Sequence, residues 1–212
     1  VWKKFGSSLS GDKAVSDEID KYLVQPIDAH DNGVDVYKRI DENLDPVTFQ
    51  DIAGIFHPTE GSSPNDFDQA FREMVDLAKK ILIRVIAQTK EQQSVNVYMR
   101  ERYDRISQKS IIIVDREVGR HAVTVGAINL PEAIYVVYPR RKGDWHVTSA
   151  RDSMESTKNR KPLPANWAGK RDDELQKISG VEDATFCHNM LFLAGARSRE
   201  GAIALAKKAL NS

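Results

Sequence analysis

The chain has 212 residues, 41% apolar and 29% charged, with 31 Lys and Arg balanced by 31 Asp and Glu. That composition excludes a disordered chain, and the zero net charge excludes attraction of the whole molecule to a polyanion, so a nucleic-acid contact must be a local patch. One cysteine, Cys187, excludes a disulfide framework and a multi-cysteine zinc site, and the longest apolar run, Ile81 to Ala87, is broken by Arg84 and too short to span a bilayer.

The chain opens on Val1-Trp2-Lys3-Lys4-Phe5, without an initiator Met or a secretory pattern, and is expected to begin inside a longer protein. Val15, Ile19, Tyr22 and Leu23 recur at helical spacing, with Pro26 expected to end the run and deliver the chain to "IDAHDNG" (Ile27 to Gly33). Asp45-Pro46 reads as an N-cap followed by proline, before a short helix marked by Phe49, Ile52, Ala53 and Phe56. Ser63-Pro64 repeats that signal, and Phe67, Ala70, Phe71, Met74, Ala78, Ile81, Leu82 and Val85 predict a long helix, weakly continued to about Arg105.

After Gln108 the period changes. "SIIIVD", "HAVTV", "AIYVVYP" and "DWHVTSA" are β-rich runs predicting three or four strands, at least partly antiparallel, with Arg140 to Gly143 as a charged hairpin loop. A Pro- and Trp-containing connector then leads to a short helix stopped by Gly180. "ATFCHNMLFLAG" (Ala184 to Gly195) reads as a buried strand or strand pair, and "SREGAIALAKKAL" as the last helix. The fold class is α/β, with α+β the other option: a helical N-terminal part, then a mixed-sheet domain.

Three constellations carry chemistry. In IDAHDNG, Asp28, His30 and Asp31 could supply part of a divalent-cation site, whereas Asn32-Gly33 alone explains a plain turn. In "AGARSREGA", Gly195 ends an apolar strand, and Arg197 and Arg199 flank a helix start that could grip a phosphate or carboxylate; the plain alternative is a strand-to-helix connection with solvated arginines. "STKNRKPLPANWAGKR" sets Lys158, Arg160, Lys161, Lys170 and Arg171 beside Trp167, as a single-strand binding surface does, or as a charged loop pinned by its tryptophan. His57, His121, His146 and His188 have no partner at metal-ligand spacing, and no P-loop, G-x-S-x-G or GxGxxG motif occurs.

The run "NRKPLPANWAGKRDDELQKISGVEDATFCH…FLAGARSREGAIALAKKAL" resembles the last part of the melanocyte-proliferating-gene protein family. "IDAHDNGV", "SPNDFDQAFREMVDLAKKIL" and "YVVYPRRKGDWHV" resemble further family segments in the same order. The resemblance implies a relative of the DHH-type phosphoesterases, a metal-dependent 3′–5′ exonuclease acting on RNA. It assigns Asp31, with Asp28 beside it, to the last metal motif for Mn2+ or Mg2+, and makes both the catalytic pair. It assigns Gly195, Arg197, Arg199, Lys170 and Arg171 to substrate binding. The family's "FH.DE", "DvGG" and "DHH" motifs do not occur in these residues, and His30 replaces an aliphatic residue.

The expected organisation is the tail of a DHH-like catalytic domain over 1–45, a helical connector over 46–106 and a C-terminal substrate-binding domain over 107–212. RNA is the expected partner, with protein partners in a ribonucleoprotein complex as a further option and no membrane contact. The alternative function is a catalytically degenerate relative serving as a structural component of such a complex. The expected location is intracellular: mitochondrial or nuclear in a eukaryote, cytoplasmic in a bacterium.

Overall fold

The computed structural model describes every residue except Arg39, Ile40, Glu42, Arg141, Glu155 and Thr157. Arg141 of the expected hairpin loop and Thr157 of the basic stretch therefore lie outside the described residues. The chain divides into Val1–Lys90 and Glu91–Ser212, and among the described residues no helix is long and apolar enough to cross a membrane.

The first unit is helical. Helices α1 (Trp2–Ser10) and α2 (Lys13–Ile19) pack through Gly6, where a side chain would meet Ser16 Oγ at 2.5 Å. The indole N–H of Trp2 donates to the Ser16 carbonyl at 3.1 Å, and Val15 and Ile19 are buried.

Pro26 does not end the helical run. A π-helical turn over Asp20–Val24 precedes it, and Pro26 sits at the start of α3 (Gln25–Asp31). The wide turn lets the chain pass a residue that has no N–H and whose ring crowds the preceding carbonyls. The next helix, α4 (Phe49–Ile55), begins later than Asp45-Pro46 suggests. Thr48 is its N-cap, in a reciprocal capping box with Asp51, and two paired donors define the helix start more strongly than a proline does. Helix α5 (Pro64–Arg105) begins at the expected Ser63-Pro64 and runs through the boundary between the two units.

The second unit is a five-stranded mixed sheet in the order β1-β2-β3-β5-β4, built from Ile111–Ile113, Tyr135–Pro139, Trp145–Ser149, Ala184–Cys187 (β4) and Leu193–Ala196 (β5). Only β1 and β2 are parallel. The segment containing "HAVTV" is not a strand: it lies in helix α6 (Arg120–Ile128), which connects them. Its β-branched residues suggested a strand, but the buried positions Ala122, Val123, Gly126 and Ala127 follow a helical face. Gly126 packs so close to α5 that an added side chain would meet Met99 Sδ at 2.6 Å. Tertiary packing has overridden local propensity. The segment "ATFCHNMLFLAG" forms the strand pair β4/β5, which joins the same sheet through β3.

Two cores sit on the two faces. On one, Tyr135, Val137, Val147, Ala194 and Ala196 pack with Leu175 of α7 (Asp172–Ser179) and with Ala202, Leu205 and Ala206 of α8 (Arg199–Leu210). On the other, Ile112, Val114, Val136 and Tyr138 pack with α6 and with Val95, Met99 and Tyr103 of α5. Gly180 stops α7 as expected, in the left-handed conformation at φ 63°. Cys187 is a buried core residue, and burial pushes its thiol up to about 12.

Candidate functional site

IDAHDNG is the last turn of α3 and its closure. Gly33, at φ 76°, donates to the His30 carbonyl at 3.0 Å and Val34 donates to the Ala29 carbonyl at 2.9 Å, the crossed pair of a Schellman motif. Asn32 adds a side-chain bond from Nδ2 to the Asp28 carbonyl at 2.7 Å. Asp28 and Asp31 therefore stand one helical turn apart, both exposed. They sit at a helix C-terminus, where the backbone carbonyls already carry partial negative charge, a place that favours a cation and disfavours carboxylates. His30 is near enough to Asp51 for its charge to act there; Asp51 itself is held below the usual carboxylate range mainly by its hydrogen bonds from Thr48.

These donors suit a hard divalent cation in kind but not in number, since such an ion takes about six oxygen ligands. Among the described residues, no group of three or more His, Cys, Asp or Glu is arranged to hold a metal. The described residues alone do not make a metal centre.

The start of α8 is arranged differently from the expected anion grip. Ser198 is the N-cap, its Oγ accepting from the Gly201 N–H at 3.0 Å. The Asp183 carboxylate accepts from the Ser198 N–H at 2.7 Å and from its hydroxyl, and the Asp183 carbonyl accepts from the Arg197 N–H at 3.0 Å. A side chain on Gly201 would meet Asp183 Oδ1 at 1.9 Å, so the glycine makes room for that carboxylate. The chain's own anion occupies this helix end.

The two arginines diverge. Arg197 is exposed and lies 3.9 Å from Asp172. Arg199 binds Asp115 at 3.1 Å, and its guanidinium lies 5.9 Å from the centre of the Trp145 ring. Asp115 also accepts from Arg102 at 2.6 Å, while Tyr98 accepts from Arg102 and lies under the guanidinium of Arg116 at 4.6 Å. One carboxylate thus positions two guanidinium forks beside two aromatic rings. Of these residues, sequence reasoning found only Arg199. The available signal was Asp115 itself, a carboxylate placed directly after an apolar strand.

Gly195, opposite His146 in the sheet, has a packing role: an added side chain would meet Phe186 at 2.6 Å. Lys170 pairs with Glu174 at 3.0 Å within one helical turn, and exposed Arg171 is the N-cap residue of α7. Arg160 donates to the carbonyls of Ala127, Ile128, Leu130 and Ala133, and Lys161 donates to those of Leu210 and Ser212. Much of the basic stretch therefore serves the ends of α6 and α8, with Trp167 buried beside it.

The family model MYG1_exonuc, described as "Uncharacterised protein family (UPF0160)", matches residues 3–210. The chain belongs to this family. It is 28% identical over 201 residues to a MYG1 protein of Caenorhabditis elegans, covering 89% of this chain and 59% of that protein. It is 23% identical over 205 residues to the Bos taurus protein named MYG1 exonuclease, covering 92% of this chain and 54% of that protein. Over a shorter stretch of 81 residues it is 37% identical to the Homo sapiens MYG1 exonuclease, covering 38% of this chain and 22% of that protein. The chain spans little more than half the length of the curated relatives it matches end to end. The MYG1_exonuc match takes in both the α3 acid pair and the α8 start.

Proposed function

We propose that this chain is the greater part of a DHH-like phosphodiesterase that shortens RNA from its 3′ end. The observation that carries the reading is the family match over residues 3–210, together with relatives named MYG1 exonuclease. The α3 acid pair supports it physically. Asp31, with Asp28, contributes oxygen ligands to a Mn2+ or Mg2+ site whose other ligands lie outside these residues. The bound ion would supply a polarised water. Leu9, Tyr22, Ile55 and Phe71 are exposed in the first unit, apolar surface of the kind that a larger domain covers.

In the second unit, Arg102 and Arg199, held by Asp115 beside Trp145, offer guanidinium forks for the phosphodiester backbone and an aromatic face for a base. Arg197, Lys170 and Arg171 add exposed or partly exposed cations at the starts of α8 and α7, and Gly195 acts by positioning the strand that leads into α8.

The test is manganese-dependent release of mononucleotides from single-stranded RNA by the protein expressed from its complete reading frame. Asp31→Ala is expected to lower the rate by at least a hundredfold. Undiminished release by that variant removes the assignment of Asp31.

A second reading, a non-hydrolytic component of a ribonucleoprotein complex, is favoured by one observation: the Asp183 carboxylate fills the α8 helix end where an anionic substrate group was expected. No metal-dependent release by the complete protein, with retained RNA association, selects this reading instead.

A further inference from the structure

The clamp of Arg102, Asp115 and Arg199 continues along α5 beyond Arg102. Tyr98 stands one helical turn before it, and the Tyr98 hydroxyl accepts from Arg102 Nε at 3.1 Å, from its Nη2 at 3.0 Å and from the Asp115 N–H at 3.2 Å. The same ring carries a third guanidinium, that of Arg116, 4.6 Å from its centre. Arg116 Nη2 donates to the Ser94 hydroxyl at 3.2 Å, another turn back on α5. The groups thus follow one another in a row, from Trp145 through Arg199, Asp115, Arg102 and Tyr98 to Arg116.

Charge is unevenly matched along this row. Asp115 gives one carboxylate oxygen to Arg199 and the other to Arg102. Exposed Glu200 lies 3.9 Å from Arg199, at the Trp145 end. Arg116, at the opposite end, has no carboxylate partner among the described residues: it bonds to an exposed serine, and its buried Nε has no partner. A guanidinium laid on a half-exposed ring gains about 0.5–1 kcal/mol, little for the fold to hold it there. Stacking uses the face of the guanidinium and leaves its N–H edge pre-organised for an anion.

We propose that this row is a track for successive phosphates of one RNA strand, with Arg116 holding the phosphate farthest from Trp145. The proposal rests on the reading of Arg102 and Arg199 as RNA contacts and extends it along α5. A single strand suits the arrangement, because its phosphates can follow the row of forks while a base at one end stacks on Trp145. Tyr98 is the positioning residue: it fixes Arg102 through its hydroxyl and Arg116 through its ring.

The experiment is fluorescence anisotropy of labelled single-stranded oligouridylate and oligoadenylate, using the protein expressed from its complete reading frame, with a chelator present to prevent hydrolysis. Arg116→Gln is expected to weaken both oligonucleotides about tenfold, since a phosphate contact carries no base information. The slope of log affinity against log salt is expected to fall by about 0.7, the share of one phosphate on a single strand. Arg116→Lys keeps the charge and is expected to restore the slope. An affinity unchanged by Arg116→Gln overturns the proposal, as does a loss that leaves the slope unchanged, which a purely structural role would give. If Arg102→Gln weakens binding while Arg116→Gln does not, the clamp reading survives and its extension falls; no saturable binding by the unaltered protein overturns both.

Discussion

Replacing Arg160 tests whether the basic stretch before Trp167 holds the fold or faces a ligand. Its side chain is only 10% exposed, with Nε on Asp152 at 2.7 Å. Its terminal nitrogens donate to the carbonyls of Leu130 at 2.6 Å, Ala133 at 2.9 Å, Ile128 at 3.1 Å and Ala127 at 3.4 Å. Leu130 and Ala133 are buried residues, so water does not easily replace the guanidinium at their carbonyls. The Leu130 carbonyl keeps the Ala133 N–H at 3.1 Å as a donor, whereas the Ala133 carbonyl is left orphaned. An orphaned buried acceptor costs about 1–3 kcal/mol and the lost charge-assisted bond to Leu130 about 1.5–3 kcal/mol, which puts the loss on Arg160→Ala at about 4 kcal/mol. Arg160→Lys keeps the charge at the C-terminal end of α6 but replaces a planar fork with a single ammonium, and should lose about half as much. The assay is urea unfolding followed by tryptophan fluorescence: at a slope of about 2 kcal/mol per molar, the alanine variant's midpoint falls by about 2 M. A loss below about 1 kcal/mol would mean that the carbonyls are satisfied without the guanidinium. Arg160 would then return to the candidates for RNA contact.

Two further predictions concern the second unit. Gly201→Ala forces a methyl group into the place of the Asp183 carboxylate, 1.9 Å away, and is expected to lower stability by about 2–3 kcal/mol in the same unfolding assay; adding Asp183→Ala should cost little more, and fully additive losses would show that the two sites do not interact. Burial is the main cause lowering the His146 pKa from its ordinary 6.5, against an opposing effect of Asp144. Its contribution to stability is therefore complete above 6.5 and is lost as the pH falls from there toward the lower folded value, because the unfolded chain takes up the proton first. His146→Gln should flatten that part of the stability profile, and an unchanged slope between pH 7 and 5 refutes the assignment.

Legibility in the sequence followed how local each determinant is. Ser63-Pro64 marked the start of α5 and Gly180 the end of α7 because capping is decided within a few residues. Asp45-Pro46 misled because Thr48 and Asp51 form a stronger local cap. HAVTV misled for a different reason: its helix is set by contact with α5, which lies about twenty residues earlier. The chemistry followed the same rule. The acid pair Asp28 and Asp31 could be read directly, being one helical turn apart. The clamp of Arg102, Asp115 and Arg199 could not, since its members come from α5, the end of β1 and the start of α8.

That distribution changes where a nucleic-acid surface is to be sought in a chain without net charge. A run of cations looks like a polyanion site, yet helix ends compete for the same side chains, and a buried carbonyl binds a cation with less screening than a solvated phosphate does. Arg160 and Lys161 have gone to α6 and α8 in this way, and Lys170 to Glu174. Arg102 and Arg199 share one carboxylate, so their pair retains a positive charge after Asp115 is counted, and both side chains remain about two-fifths exposed. A strand bound by this unit would exchange Asp115 for phosphate on one side of each fork without unfolding a helix end. The basic stretch offers no such exchange at Arg160, where four carbonyls would lose a charged donor and the buried Ala133 carbonyl would be left orphaned. Binding of RNA is therefore better supported at Arg102 and Arg199 than along the run of cations that first suggested it.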